Sequence, residues 1–209
     1  MKLIILGGFL GSGKTSVLIP LAKEIVANTE LGENSKAKVV IIENEIGQVG
    51  VDTAFTEGSG LLTTELFNGC VCCTIATSLM DALCQLEEEV KPEYVILETT
   101  GLARPYDVAQ TLWDAYDEDM SITLITVVDC KRWPKIQKIA GTLTVEQLEH
   151  ANYVLINKVD TATEEEIAQV EANVKENCEG KIYKTSKKSD MEGLENICKD
   201  IVSEIESWD

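Results

Sequence analysis

A chain of 209 residues with 44% hydrophobic side chains has material for one globular domain with a full core and little beyond it. Its 36 acidic against 18 basic residues give a net charge of −18, a surface that repels phosphate backbones and argues against nucleic acid as a partner. No apolar run approaches a membrane span and a strand begins too early for a signal peptide, so a cytoplasmic protein without membrane association is expected.

Residues 1–6, MKLIIL, form an apolar run that predicts a strand. Gly7 and the stretch Gly8-Phe9-Leu10-Gly11-Ser12-Gly13-Lys14-Thr15 follow at once, and a helical pattern begins at Ser16. Strand, glycine-rich turn and helix in that order make G-x-x-x-x-G-K-T a phosphate-binding loop. Gly8, Gly11, Ser12 and Gly13 let backbone N–H groups crowd around phosphate oxygens, and the helix end at Ser16 adds a favourable dipole. Lys14 can reach the outer phosphates, and the Thr15 hydroxyl can ligate Mg2+.

Further apolar runs at 39–42, 94–97, 122–128 and 153–156 predict strands buried on both faces, with a weaker one at 182–183. Helix-like spacing covers 16–27, 75–90, 164–177 and 192–207. The alternation predicts an α/β fold, a P-loop NTPase three-layer sandwich whose sheet is doubly wound and mostly parallel, forming one domain over 1–209. Residues 43–69 lack strong periodicity and are expected to be a functional segment rather than a passive connection, and 140–147 reads as a second loop.

In such sheets chemistry gathers at the carboxyl ends of the strands. The run 39–42 ends in Glu43-Asn44-Glu45, and the run 94–97 ends in Glu98-Thr99-Thr100-Gly101. A carboxylate at a strand tip beside a P-loop, here Glu98, can hold Mg2+ or position the attacking water, while Gly101 can donate its N–H to a γ-phosphate. Asp129 ends the run 122–128, where a helix cap is as good a reading as a ligand. The run 153–156 leads into Asn157-Lys158-Val159-Asp160, roughly 140 residues after the P-loop. The Asp160 carboxylate can accept hydrogen bonds from N1–H and the 2-amino group of guanine, a pair that adenine lacks. Asn157 can contact the base edge, and the Lys158 stem can lie over its face. After the last weak strand, Lys184-Thr185-Ser186-Lys187 offers a loop that could complete the base pocket through Ser186. The nucleotide is therefore expected to be GTP.

Seven cysteines in such a chain are expected as thiols. Cys70, Cys72 and Cys73 cluster ahead of a helix that Thr74 could cap, and such thiolates suit Zn2+, with Co2+ or Ni2+ as alternatives. Three thiolates leave a tetrahedral set incomplete, which suits a metal carried and then released. Cys84, Cys130, Cys178 and Cys198 are scattered and expected in the core, and the lone His150 is expected to be structural.

With these motifs in order, the chain resembles the CobW/HypB/UreG family of P-loop GTPases in the SIMIBI class, nearest its CobW-like branch. The resemblance rests on residues 7–15, Glu43-Asn44-Glu45-Ile46-Gly47, Cys70-Val71-Cys72-Cys73, residues 98–105 (ETTGLARP) and residues 157–160 (NKVD). It implies a GTP-hydrolysing metallochaperone or metal insertase that binds a transition metal at C-x-C-C. Lys14, Glu98 and Gly101 would act on the γ-phosphate, and Glu43 and Glu45 would lie on the switch between nucleotide and metal. It also implies a client metalloprotein or cofactor-maturation protein, a nucleotide- or metal-dependent homodimer, and slow hydrolysis in isolation. Gln48 departs from the family's frequent Glu, and the 49 residues after Asp160 are expected to hold only a helix–strand–helix finish instead of a further carboxy-terminal domain. Two rivals differ in class. One is an ATP-using kinase, against which residues 157–160 argue. The other is a GTP-controlled binding module for a client, in which metal is incidental.

Overall fold

The computed structural model describes residues 1–30, 33, 35–43, 61–65, 74–115, 120–186 and 191–207, with backbone alone for 61–65, 74–78 and 191–193. Seven strands run in parallel: β1 (Lys2–Gly7), β2 (Val39–Glu43), β3 (Leu61–Glu65), β4 (Tyr94–Glu98), β5 (Ile122–Asp129), β6 (Tyr153–Asn157) and β7 (Lys181–Thr185). Their spatial order is β3-β2-β4-β1-β5-β6-β7. The described helices are α1 (Lys14–Asn28), α2 (Thr74–Glu89), α3 (Pro105–Ala115), α4 (Trp133–Ala140), α5 (Thr142–Glu146), α6 (Glu164–Asn177) and α7 (Met191–Glu206). None among the described residues is long and apolar enough to cross a membrane.

Alternation along the strands builds the layers. Ile4 and Leu6 of β1, Val39 and Ile41 of β2, and Tyr153 and Leu155 of β6 join one core with Leu18, Leu21 and Ile25 of α1 and Ile201 and Ile205 of α7. The intervening residues point the other way. Leu3, Ile5, Val40 and Ile42 pack with Leu79 and Leu83 of α2 and Leu112 of α3, while Val154 and Ile156 pack with Val170 and Val174 of α6. Burying both faces is why these strands read as continuous apolar runs, and each buried aliphatic side chain contributes roughly 1.5–3 kcal/mol. The result is the expected P-loop NTPase three-layer sandwich.

The helices start where their chemistry says. Thr163 accepts from Glu166 N while the Glu166 side chain accepts from Thr163 N, a closed capping box ahead of three first-turn glutamates on α6. At the far end of α7, Tyr153 donates to Glu204 at 2.9 Å, and Tyr94 and Lys181 bond Glu206 and Glu204, fastening that helix across the sheet.

Three readings of the sequence are corrected. Residues 61–65 are a strand, so the segment 43–69 is not loop throughout. Its sequence, LLTTE, carries no alternation, and β3 is an edge strand paired only with β2. Residues 142–146 form α5 rather than loop. Cys84 is exposed, whereas Cys130 and Cys198 are buried and Cys178 is half-buried. Helix α3, which the apolar pattern does not announce, starts at Pro105, whose fixed φ suits a first helical turn.

Candidate functional site

Strand β1 is flanked by β4 on one side and β5 on the other. The loop that leaves it sits where the winding of the sheet reverses, the usual place for a ligand in such a fold. Gly8, Gly11 and Gly13 have φ of 133°, 74° and 107°, which curl the loop before α1 begins at Lys14. A Cβ on Gly8 would lie 2.3 Å from the Val127 carbonyl, so only glycine lets the loop settle onto β5. Ser12 Oγ is buried with no hydrogen-bond partner, and Lys14, 4% exposed as a residue, donates from its ammonium to Gly8 O at 3.1 Å. A buried hydroxyl without a partner and a buried cation curled over its own loop are what an oxygen-rich anion would satisfy.

Thr15 Oγ1 donates to both oxygens of Glu98, at 3.3 and 3.4 Å. Glu98, 6% exposed, ends β4 and stands in register with Glu43 at the end of β2. The hydroxyl and neighbouring carboxylates are hard oxygen donors, so this donor set fits Mg2+. Gly101, three residues past Glu98, lies so close to the P-loop that an added Cβ would sit 2.5 Å from Leu10 N.

On the other side, β5 and β6 end together, with Asp129 paired to Asn157 in register. Asn157 reaches back from the end of β6 to the phosphate loop. Its amide donates to Ser12 O at 2.8 Å, and its Oδ1 accepts from Lys158 N at 2.8 Å. Lys158, at φ +63°, turns its ammonium to Gly11 O and forms a 2.7 Å ion pair with Asp129, which is 3% exposed on its side chain. Asp129 also accepts from Arg132 N at 3.1 Å, so it both caps a turn and holds the lysine. Asp160 meets Ser186, which donates to its Oδ1 at 2.6 Å. Lys184 and Thr185 fall inside β7, which leaves Ser186 as the first residue past the strand. Beside Asn157 and Ser186 a cavity of about 380 Å³ opens between α1 and α7, lined in part by Ser16, Lys23 and Leu194; small-molecule sites span roughly 300–1,000 Å³.

A larger groove of about 1330 Å³ lies where β6 and β7 begin, lined by Asn152, Tyr153, Gly180 and Lys181 together with Glu146, Glu149 and His150. It carries no glycine loop and lies at the amino ends of those strands, the end that α/β sheets do not use for ligands. His150 has φ +54° and stacks on Tyr106 with centroids 4.0 Å apart, consistent with a structural role. Burial pushes the thiols of Cys130 and Cys178 up, and that of Cys198 up to about 12. These three are therefore protonated thiols at neutral pH, poor as ligands or nucleophiles. Glu45, Cys70, Cys72 and Cys73 lie outside the described residues, and among those described no three His, Cys, Asp or Glu side chains group as a metal site.

Two features of the site escape a reading of the sequence. Gln147 Nε2 bonds Ala103 O, and Arg104 pairs with Asp107, Glu146 and Glu149, so α5 anchors the segment after Glu98. Arg132 donates from Nη1 to Leu10 O at 2.9 Å. The only sequence cue for the latter is an arginine three residues after a strand-ending aspartate.

Residues 2–183 match the CobW/HypB/UreG nucleotide-binding domain. The chain belongs to the CobW/HypB/UreG family. It is 35% identical over 193 residues to zinc-regulated GTPase metalloprotein activator 1 of Schizosaccharomyces pombe, covering 87% of this chain and 45% of that one. It is 31% identical over 173 residues to the Escherichia coli zinc chaperone YjiA, covering 78% and 50%. The Zn(II)-bound crystal structure of the YjiA GTPase superposes with a TM-score of 0.63 at 25% identity, over 95% of this chain and 62% of that one. The chain thus spans about half the length of these curated relatives. In this CobW/HypB/UreG domain the P-loop, Glu98 and residues 157–160 occupy one end of one sheet.

Proposed function

We propose that this chain binds Mg2+-GTP, hydrolyses it, and couples the nucleotide state to a transition metal that it delivers to a client metalloprotein or cofactor-maturation protein in the cytoplasm. One observation carries the nucleotide half. Lys158 and Asn157 hold the carbonyls of Gly11 and Ser12, while Asp160 three residues on is met by Ser186, so the phosphate grip and the base reader form one unit. In the reaction GTP + H2O → GDP + phosphate, Lys14 and the backbone N–H groups of Gly8 to Thr15 neutralise charge on the β- and γ-oxygens. Thr15 and Glu98 would hold Mg2+, which when bound supplies further neutralisation of those oxygens. Gly101 offers its N–H to the γ-phosphate, and the Glu98–Gly101 segment orients the attacking water. A titration of guanine against adenine nucleotides tests this reading first, and equal affinities overturn it.

The donor set around Thr15 leads to a second expectation. Glu98→Gln removes the carboxylate charge but not the volume. It should lower kcat for GTP on the order of 10²-fold and shift the Mg2+ requirement upward, with GDP binding little changed. Hydrolysis against Mg2+ concentration measures both, and an unshifted Mg2+ curve would take Glu98 out of the site.

The cargo reading rests on Cys70, Cys72 and Cys73 with Glu43 and Glu45, and on relatives named as zinc chaperones. Zn2+ heads the candidates, with Co2+ and Ni2+ as alternatives. Cys72→Ser should weaken metal binding about tenfold or more and uncouple it from GTP. Metal titrations with GTP, with GDP and with neither measure this. If stoichiometry and coupling survive, the binding-module reading replaces the chaperone one. Analytical ultracentrifugation under the same conditions reports whether nucleotide or metal drives a homodimer.

A further inference from the structure

Arg132 stands outside every motif above, yet it touches the P-loop. Its backbone is fixed, because Arg132 N donates to both Asp129 O and Asp129 Oδ1. The next residue, Trp133, is 2% exposed, bonds Asn173 at 2.9 Å and meets Phe9 of the P-loop edge-on at 6.1 Å. The start of α4 is therefore packed against the loop, and the Arg132 guanidinium extends from that rigid base to Leu10 O. Gly11 makes room for it, since a Cβ there would sit 2.8 Å from Arg132 Nη1. Leu10 itself has a side chain 66% exposed, so packing does little to fix its peptide. Its other flank faces Gly101, whose added Cβ would lie 2.5 Å from Leu10 N and 3.0 Å from its Cα. One residue is thus held between a cation on an anchored backbone and the segment that follows Glu98.

We infer that Arg132 is a positioning residue for the γ-phosphate end of the site, acting through the Leu10 peptide. The guanidinium on Leu10 O does two things. It fixes the surface against which Gly101 seats. It also polarises the peptide that Leu10 shares with Gly11, making Gly11 N–H a stronger donor to phosphate. A cation on an outward-facing carbonyl strengthens the inward-facing N–H without competing for the phosphate. Gly101 already lies against Leu10, and only a γ-phosphate bonded by the Gly101 N–H would load that contact. Arg132 therefore favours GTP over GDP and lowers the barrier to hydrolysis more than it aids initial binding.

This inference rests on the GTP reading, and the test separates the two. Arg132→Ala, Arg132→Gln and Arg132→Lys are compared with the wild-type chain for kcat, KM, the ratio of GTP to GDP affinity, and thermal midpoint. Loss of a charge-assisted hydrogen bond at a partly exposed site should lower kcat about tenfold in the Ala and Gln variants, with KM within about twofold. The GTP:GDP affinity ratio should fall by a similar factor, and Arg132→Lys should recover most of both. Equal losses of GTP and GDP affinity with kcat intact would overturn the inference, as would Gln performing as well as Lys, because either result makes Arg132 a structural brace. If the wild-type chain binds GTP without hydrolysing it, the hydrolysis proposal fails and the affinity ratio alone decides the role of Arg132. If it binds no guanine nucleotide, both fall.

Discussion

Gly13→Ala should abolish nucleotide binding while leaving the sheet folded. Gly13 has φ 107° and ψ 24°, and its added Cβ would sit 2.1 Å from Asn157 Nδ2. An L-residue in the left-handed region costs about 1–2 kcal/mol before any contact is counted. Asn157 is 4% exposed and cannot swing into water, so displacing it breaks the bond to Ser12 O and leaves a buried amide unsatisfied, costing about 1–3 kcal/mol more. Against a stability of roughly 5–15 kcal/mol for a domain, the chain survives in part or in full. Binding does not survive, because the N–H groups that face the phosphates are set by the curl that Asn157 and Lys158 hold. A displacement near 1 Å costs on the order of 10²-fold, and more where several donors shift together. A fluorescent GTP titration alongside a thermal melt separates the two effects. Gly141→Ala is the matched control: φ is 55° there, but an added Cβ meets nothing within 4 Å, so only the backbone strain should appear. Retention of GTP affinity within tenfold by Gly13→Ala would show that the Asn157 contact does not shape the loop.

That contact also shows where sequence reading stops. The P-loop is legible because its ingredients are contiguous: an apolar strand, spaced glycines, Lys14-Thr15 and a helix. Residues 157–160 are legible as a motif for the same reason. The link between the two is not, because sheet register makes it. Asp129 and Asn157 become neighbours only when β5 and β6 pair, and Lys158 then has both Asp129 and Gly11 in reach. Asn157 reads as a base contact in the sequence, and its bond to Ser12 O shows only in the structure. Arg132 is harder still, since an exposed arginine at the start of a short helix looks like any solvated cation until Gly11 and Leu10 are beside it. Strand β3 escapes for a different reason. An edge strand needs one partner and no alternation, so Leu61-Leu62-Thr63-Thr64-Glu65 announces nothing before β2 pairs with it.

Asp160→Asn should move the nucleotide preference from guanine toward xanthine. On the proposed reading, the carboxylate of Asp160, which presents only acceptors, meets N1–H and the 2-amino group of guanine. An amide of the same size presents one acceptor and one donor, and the donor opposes the 2-amino group while suiting the 2-oxo group of xanthine. Sites built on such complementary pairs reject the mismatched base steeply, so GTP affinity should fall on the order of 10³-fold while that for xanthosine triphosphate rises. The substitution is structurally mild. Ser186 donates to Asp160 Oδ1 at 2.6 Å, and the carbonyl oxygen of Asn can accept the same bond, so the strand-end loops stay joined. Asp160 is itself exposed, so no buried charge is removed. Competition titrations of the two triphosphates against each variant read the exchange directly, and comparable GTP affinity in both proteins would remove Asp160 from the base pocket. Because Asn157 and Lys158 serve the P-loop, their substitution should weaken all triphosphates together, whereas Asp160→Asn should re-rank them. That outcome would separate, within four consecutive residues, how tightly a nucleotide is held from which nucleotide it is.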